Sequence, residues 1–458
     1  MRVSSKPSQL LLAVFLAAWF SAAIGAWAQT SSRAVPSPEV THTGTAPTGY
    51  TVTFRYANPA AKRVQIKGEW YFERPSEQAQ LSPTPNHPIV ESQGILPTDW
   101  KSGDVPLQRP NSTGPNFPVA EMIKGKDGVW TYTIPLPSGV WTYAYLVDCQ
   151  EGARCNAISD PANAPWNEKN GAPDGGAVHN SQTYVPSDAK FGTVDFSWQA
   201  PAKLNGLPQG TVVHATYPSP GHVTPKDENY LVIYTPPNYD PARARPYPTL
   251  YLSHGGGENE MGWSTQGDMA NILDNLIDTG QIQPIVVVMP NGSGYANSVF
   301  NEAYDRDLID RMIPWVESHY HVSNSAKDRA FSGLSMGGML TNSFLINHPD
   351  AFQYYGMMSA GLPPDNSKLT PQQAAAIKGK SIWVGGGWQD VIFAVGFSPN
   401  GTPTHTGPAR EVSTLVNAGV PVTTDFIHGG HEWYVWRILL RDFLTRTAFL
   451  PQPYAAWQ

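Results

Sequence analysis

Between Thr249 and Gly430 the chain repeats one rhythm: a short apolar run closed by turn residues, then a stretch with helical spacing. The runs are TLYLSHGGG (249–257), PIVVVMPN (284–291), DRAFSG (328–333), YYGMMSAG (354–361) and KSIWVGGG (380–387), and PVTTDFIHGG (421–430) follows later. MANILDNLIDTG (269–280) and YDRDLIDRMIPWVESHY (304–320) carry the helical spacing between them. Strands that are apolar throughout need cover on both faces, so this alternation predicts a mostly parallel sheet with helices on both sides. Right-handed crossovers then bring the C-terminal ends of the strands to one edge, where sites form.

One segment is costly for such a sheet unless it has a purpose. Gly333-Leu334-Ser335-Met336-Gly337 follows an apolar run and precedes a helical stretch. Glycine weakens both strands and helices. A G-x-S-x-G turn between strand and helix is so tight that flanking side chains would collide, and it projects the serine oxygen over a helix N-terminus. Ser335 is the expected nucleophile. A serine needs a base held by an acid, and in this arrangement they follow on later strands in the order serine, aspartate, histidine. Asp390 follows KSIWVGGG and His431 follows PVTTDFIHGG. His428 is the rival base, three residues nearer the strand. Asp365 is the rival acid, set among prolines with no strand before it. The developing oxyanion needs two main-chain donors. Met336 supplies one, and HGGGENEMGW (254–263) supplies the other, at Gly256. His254 reads as a structural turn residue.

The N-terminal part has a different texture. From Tyr50 to about Tyr184, strand-like runs alternate with turn residues, as in YTVTFRYA (50–57), KRVQIKGEW (62–70) and GVWTYTIPLPSGVWTYAYLVD (128–148). The last reads as two strands around Pro137-Ser138-Gly139. With no helical period between them, these runs predict an all-β, immunoglobulin-like antiparallel sandwich. Residues 74–126 form a long proline-rich interruption. Trp70, Tyr71, Trp130 and Trp141 are either core or a stacking platform, and strand spacing favours core. The expected organisation is a leader over 1–28, a sandwich over 29–186, a linker over 187–209 and a hydrolase over 210–458.

The leader has Arg2 and Lys6, an uncharged apolar run from Leu10 to Ile24, and Ala26-Trp27-Ala28 as a cleavage site. This predicts export, to the periplasm or outside the cell. The whole chain has 30 basic and 37 acidic residues; without the two basic residues of the leader the balance is 28 − 37 = −9. Such a charge argues against nucleic acid as a partner. No membrane partner is expected after cleavage. Cys149 and Cys155 are the only cysteines. Their proximity and export predict a disulfide at a hairpin tip. No metal and no cofactor is expected.

The stretches VTFRYANPAAKRVQIKGEW, LPSGVWTYAYLVD and SDPANAP resemble the N-terminal sandwiches of glycan-active enzymes related to family 48 carbohydrate-binding modules. HGGG, GLSMGG, the aspartate after SIWVGGG, and HGGHEWYVWR resemble the esterase-D branch of α/β-hydrolases, and within it carbohydrate esterase family 1. LVIYTPPNYDP, RAFSGLSMGG and HPDAF extend the likeness over essentially all of 210–449. The resemblance implies a Ser335-Asp390-His431 triad and a feruloyl or acetylxylan esterase acting on acylated plant-wall polysaccharide. FSPNGTPTHTG (397–407) departs from the pattern beside the catalytic acid. An aromatic acyl group would need an apolar slot, for which Trp263, Tyr295, Trp388 and Trp433 are candidates. Hydrolysis of an enterobactin-type siderophore lactone, acyl transfer to a glycan and a glycan-binding protein are the alternatives.

Overall fold

A computed structural model describes residues 36–75, 94–107, 119–149, 155–167, 180–295, 302–361, 368–390, 392 and 407–450. The leader over 1–28, Asp365, much of the interruption over 74–126 and residues 397–406 of the insertion lie outside them.

The N-terminal strands are β1 (Glu39–His42), β2 (Tyr50–Ala57), β3 (Val64–Gly68), β4 (Phe72–Glu73), β5 (Val105–Pro106), β6 (Val119–Glu121), β7 (Ile123–Lys124), β8 (Val129–Pro135), β9 (Gly139–Val147) and β10 (Ser181–Val185). Two antiparallel sheets run β1-β2-β8-β7 and β10-β9-β3-β6. Alternate residues from both sheets meet in one apolar cluster: Val52 and Phe54 from β2, Val64 and Ile66 from β3, Trp130 from β8 and Tyr143 from β9. The strands around Pro137-Ser138-Gly139 form as expected, but they enter different sheets rather than pairing with each other. Trp70, Trp130 and Trp141 are buried in this cluster and Tyr71 is packed against it, so they are core and not an exposed platform. Cys149 and Cys155 are joined, with Cα atoms 5.7 Å apart. The link closes the excursion between β9 and Ile158, which returns to bridge Tyr145.

The larger sheet comprises β11 (Thr211–Pro218), β12 (Glu228–Thr235), β13 (Thr249–Ser253), β14 (Val286–Pro290), β15 (Arg329–Leu334), β16 (Tyr354–Met358), β17 (Ser381–Gly387) and β18 (Thr423–Ile427). Their order is β11-β12-β14-β13-β15-β16-β17-β18. The first two strands run antiparallel to their neighbours, and β14 through β18 are parallel. The helices are α1 (Met269–Asp278), α2 (Glu302–Asp307), α3 (Ile313–His319), α4 (Met336–Asn347), α5 (Pro371–Ile377), α6 (Pro408–Asn417) and α7 (Trp433–Arg446). Leu308–Met312 is a wider helical turn joining α2 to α3.

Successive residues of each strand pack to opposite sides, as a doubly covered sheet requires. Leu250 and Leu252 face α1 and α7, alongside Leu273, Leu276, Leu439 and Phe443. Tyr251, Phe331 and Tyr355 face the other way, against Leu308, Val316, Leu340 and Phe344. Parallel β13, β15, β17 and β18 therefore end on one edge. The segments that follow them carry His254–Gly257, Ser335, Asp390 and His431.

Residues 187–209, expected as a linker, form short 3-10 turns packed against both parts. Gln199 is buried and accepts a hydrogen bond from the Val140 amide at 3.2 Å. Asn275 of α1 donates to the Ala200 carbonyl at 2.8 Å. No described helix is long and apolar enough to cross a membrane.

Candidate active site

Ser335 sits between β15 and α4 with φ 51° and ψ −115°. A non-glycine residue in that region is strained and persists only where its surroundings hold it. Its amide donates to the Met358 carbonyl at 2.9 Å, and its carbonyl accepts from Met339 at 3.0 Å. The neighbouring glycines are steric necessities. A Cβ on Gly333 would lie 2.7 Å from the Gly337 carbonyl carbon, and one on Gly337 would lie 2.7 Å from the Ser253 and His254 carbonyl oxygens. Met336 is the first residue of α4, so its amide is among the helix N-terminal donors that have no partner within the helix.

His431 Nδ1 lies 2.8 Å from Asp390 Oδ2. Asp390 is buried, and its other oxygen accepts the Ile392 amide at 2.9 Å. A carboxylate on Nδ1 fixes the tautomer and leaves Nε2 as the basic nitrogen. His428 is exposed, and its Nδ1 lies 3.3 Å from the Gln389 side-chain nitrogen. Gln389 also accepts the Gly429 amide at 2.7 Å, which ties the histidine loop to the end of β17. A Cβ on Gly387 would lie 2.2 Å from the Gly429 carbonyl oxygen, so this approach requires glycine.

The turn after β13 is held from inside. His254 is buried; its Nδ1 lies 2.7 Å from the Gly255 carbonyl, and its Nε2 accepts the Gly292 amide at 3.0 Å. Burial drives its pKa down to about 4, against the pull of the Gly255 bond, so it is a neutral structural residue at neutral pH. Glu258 turns back to accept the Gly255 amide at 3.1 Å. Gly256 is left exposed on the outer side of the turn, and Gly257 takes φ +79°.

The aromatic candidates separate. Trp263 is 1% exposed and donates its indole N–H to the Ser253 carbonyl at 2.9 Å. Trp433 is 4% exposed and meets Trp263 edge-on at 5.1 Å. Trp433 also packs on Trp436 at 5.2 Å, and Trp436 lies edge-on to His431 at 4.9 Å. The expectation that Trp263 and Trp433 line a slot is therefore corrected: they are packing behind the catalytic loops, because indoles of this size at the sheet's end are spent on holding α1 and α7 together. Tyr295 is half-buried, and its hydroxyl donates to Asp307 at 2.7 Å and accepts from Asn229 at 3.1 Å. Trp388 is 50% exposed, two residues before Asp390, with its ring 5.4 Å from Phe426.

Sequence patterns did not single out Glu258, Gln389, Glu432 or Arg437. Burial, helped by the nearby charge of Glu69, raises the Glu258 carboxyl to about 7 and the Glu432 carboxyl to about 8. The only sequence signal was position, since Glu258 lies within the HGGGENEMGW segment and Glu432 adjoins His431.

Residues 223–447 match the protein family described as "Putative esterase". Over 369 residues the chain is 27% identical to the "Endo-1,4-beta-xylanase/feruloyl esterase" of Xylanibacter ruminicola, covering 78% of this chain and 45% of that one. Over 184 residues it is 35% identical to "Endo-1,4-beta-xylanase Y" of Acetivibrio thermocellus, covering 38% of this chain and 16% of that one. The chain thus spans less than half the length of these relatives. The solved enterobactin esterase of Shigella flexneri shares the fold at a TM-score of 0.50 and 16% identity, over 89% of this chain and 94% of that one. Residues 223–447, just under half of the chain, thus match an esterase family on a mixed eight-stranded α/β-hydrolase-like sheet, which supports a carboxylic-ester hydrolase.

Proposed function

We propose that the protein is an exported serine esterase that releases hydroxycinnamoyl groups from plant-wall xylan through an acyl-enzyme. The observation that carries this reading is the strained Ser335 turn on the same sheet edge as the His431–Asp390 pair. In the proposed reaction Ser335 Oγ attacks the ester carbonyl carbon and gives its proton to His431 Nε2. The Gly256 and Met336 amides receive the oxyanion. The ester C–O bond breaks, and His431 protonates the departing sugar alkoxide. Water then repeats the cycle on the acyl-serine, yielding the free acid and restoring the serine.

The acyl group is assigned by chemistry and by relatives. A relative of this chain has feruloyl esterase in its name. Trp388, exposed beside Asp390, offers an aromatic face to a phenolic acid. We read the two N-terminal antiparallel sheets as an immunoglobulin-like sandwich of the carbohydrate-binding type, and residues 1–28 as its export leader. Acetylxylan is the alternative substrate within this reading.

A second reading is hydrolysis of an enterobactin-type lactone. It is favoured by the extent of the shared fold, which includes the N-terminal part as well as the hydrolase.

The deciding experiment compares turnover of methyl ferulate, acetylated xylan, enterobactin and p-nitrophenyl acetate by purified protein. Methyl ferulate is expected to give the highest kcat/KM of the three natural-type substrates. Preference for enterobactin would replace this reading with the second, and inactivity on all four would overturn both.

A further inference from the structure

Arg437 lies in α7, two turns after His431, and is 2% exposed. An arginine buried that deeply needs fixed acceptors, since its charge loses hydration and its guanidinium cannot be deprotonated to escape. Its acceptors come from two different parts of the chain. One nitrogen donates to the Gln266 carbonyl at 2.7 Å, just before α1 of the hydrolase. Another donates to the Val140 carbonyl at 2.8 Å, in β9 of the N-terminal sheets. Val140 is itself fixed on its other side by Gln199. Burial pulls the Arg437 pKa down, while the charges of Glu69, Asp268 and Glu432 pull it up. Glu69 belongs to the N-terminal part, in the turn after β3, where its amide bonds the Thr142 carbonyl at 3.2 Å.

The same residues lead to the catalytic loop. Glu432 is the residue between His431 and α7, and its carboxylate accepts the Gly430 amide at 3.3 Å. Glu432 thus closes the turn that presents His431, and Arg437 follows in α7 next to Trp436, whose ring is edge-on to His431 at 4.9 Å.

From this we infer that the N-terminal sheets help build the esterase site. The main chain of Val140 holds Arg437, and Arg437 fixes the start of α7, from which Glu432 and Trp436 hold the loop carrying His431. Arg437 and Glu432 are positioning residues that touch no substrate. The inference rests on His431 being the base, and it makes the two parts of the chain one catalytic unit rather than a binding module beside an enzyme.

The test uses the full chain and two measurements. The first is kinetics on p-nitrophenyl acetate for Arg437→Lys and for Gln199→Ala, which frees the Val140 main chain that Arg437 bonds. Displacing a catalytic histidine lowers turnover without altering ester binding, so kcat should fall by about 10- to 100-fold in Arg437→Lys and severalfold in Gln199→Ala, at constant KM. The second is hydrogen exchange by mass spectrometry, which does not depend on activity. Peptides spanning 428–436 should exchange about tenfold faster in both variants, with β15 and α4 unchanged. A merely structural role would speed exchange everywhere together. Wild-type kcat and wild-type exchange over 428–436 in Gln199→Ala would overturn the inference, even if Arg437→Lys fails to fold. Inactive wild-type protein would instead refute the esterase reading, while exchange would still judge the positioning.

Discussion

A single serine backbone carries most of the chemical argument, and its neighbours show why. Gly333 and Gly337 are glycines because any side chain would collide with main chain within 3 Å, so the motif could be read from the sequence as a steric statement. The histidine was legible by its place after a strand, and its rival was weighed by the same rule. The structure turns His431 to Asp390 and leaves His428 exposed. His431→Ala is therefore expected to cost about 10⁴-fold in kcat, and His428→Ala to cost severalfold at most. Kinetics of the two single variants on one ester check this, and an essential His428 would reverse the assignment. The aromatic residues were less legible. Trp263 stands in a loop and Trp433 begins α7, both at the sheet edge like Trp388, and only tertiary packing separates them. Trp388→Ala should raise KM for methyl ferulate about tenfold and leave p-nitrophenyl acetate unaffected, as loss of one stacking face would do. Equal effects on both esters would mean that Trp388 only supports the loop.

At the scale of elements, the central parallel strands were legible because they are apolar on both faces and end in turn residues, whereas β18 at the edge is polar and only partly buried. The fate of β8 and β9 was not legible. Both alternate well and a tight turn joins them, yet no local feature says whether neighbours pair or cross to opposite sheets. Helix α6 holds a feature the sequence could not reveal. Glu411 is 1% exposed, and neither carboxyl oxygen has a hydrogen-bond partner among the described residues. Burial pushes it up to about 8. The folded chain then keeps a proton that the unfolded chain releases near the ordinary glutamate pKa of about 4.3. Its contribution to stability is full below that value and is lost as pH rises towards 8. Glu411→Gln should flatten this loss. Thermal unfolding at pH 5 and pH 8 tests it: the variant's Tm relative to wild type should rise between the two, and a constant difference would show that Glu411 is solvated.

At the scale of the molecule, composition announced two textures, and the two kinds of sheet match them. It did not announce that residues 187–209 would be packed, since proline, glycine and alanine suit a tether and a packed connection equally. Nor could it show that Arg437 reaches β9, because a lone arginine in an amphipathic helix reads as surface. The Cys149–Cys155 link was legible from the close spacing of the two cysteines. Cys149→Ser should lower stability by about 2 kcal/mol, since so short a loop restricts the unfolded chain only modestly. Denaturant unfolding of the two forms measures this, and equal midpoints would show that the link is dispensable.

The central claim is that Ser335 is acylated during ester hydrolysis. Purified wild-type protein and Ser335→Ala are each mixed with methyl ferulate, and ferulate release is followed alongside intact-protein mass spectrometry after acid quench. Wild type should turn over the ester and carry one feruloyl group on the peptide containing Ser335. Ser335→Ala should carry none and lose about 10⁴-fold or more in turnover, with its fold unchanged. Turnover by Ser335→Ala close to that of wild type would contradict the account.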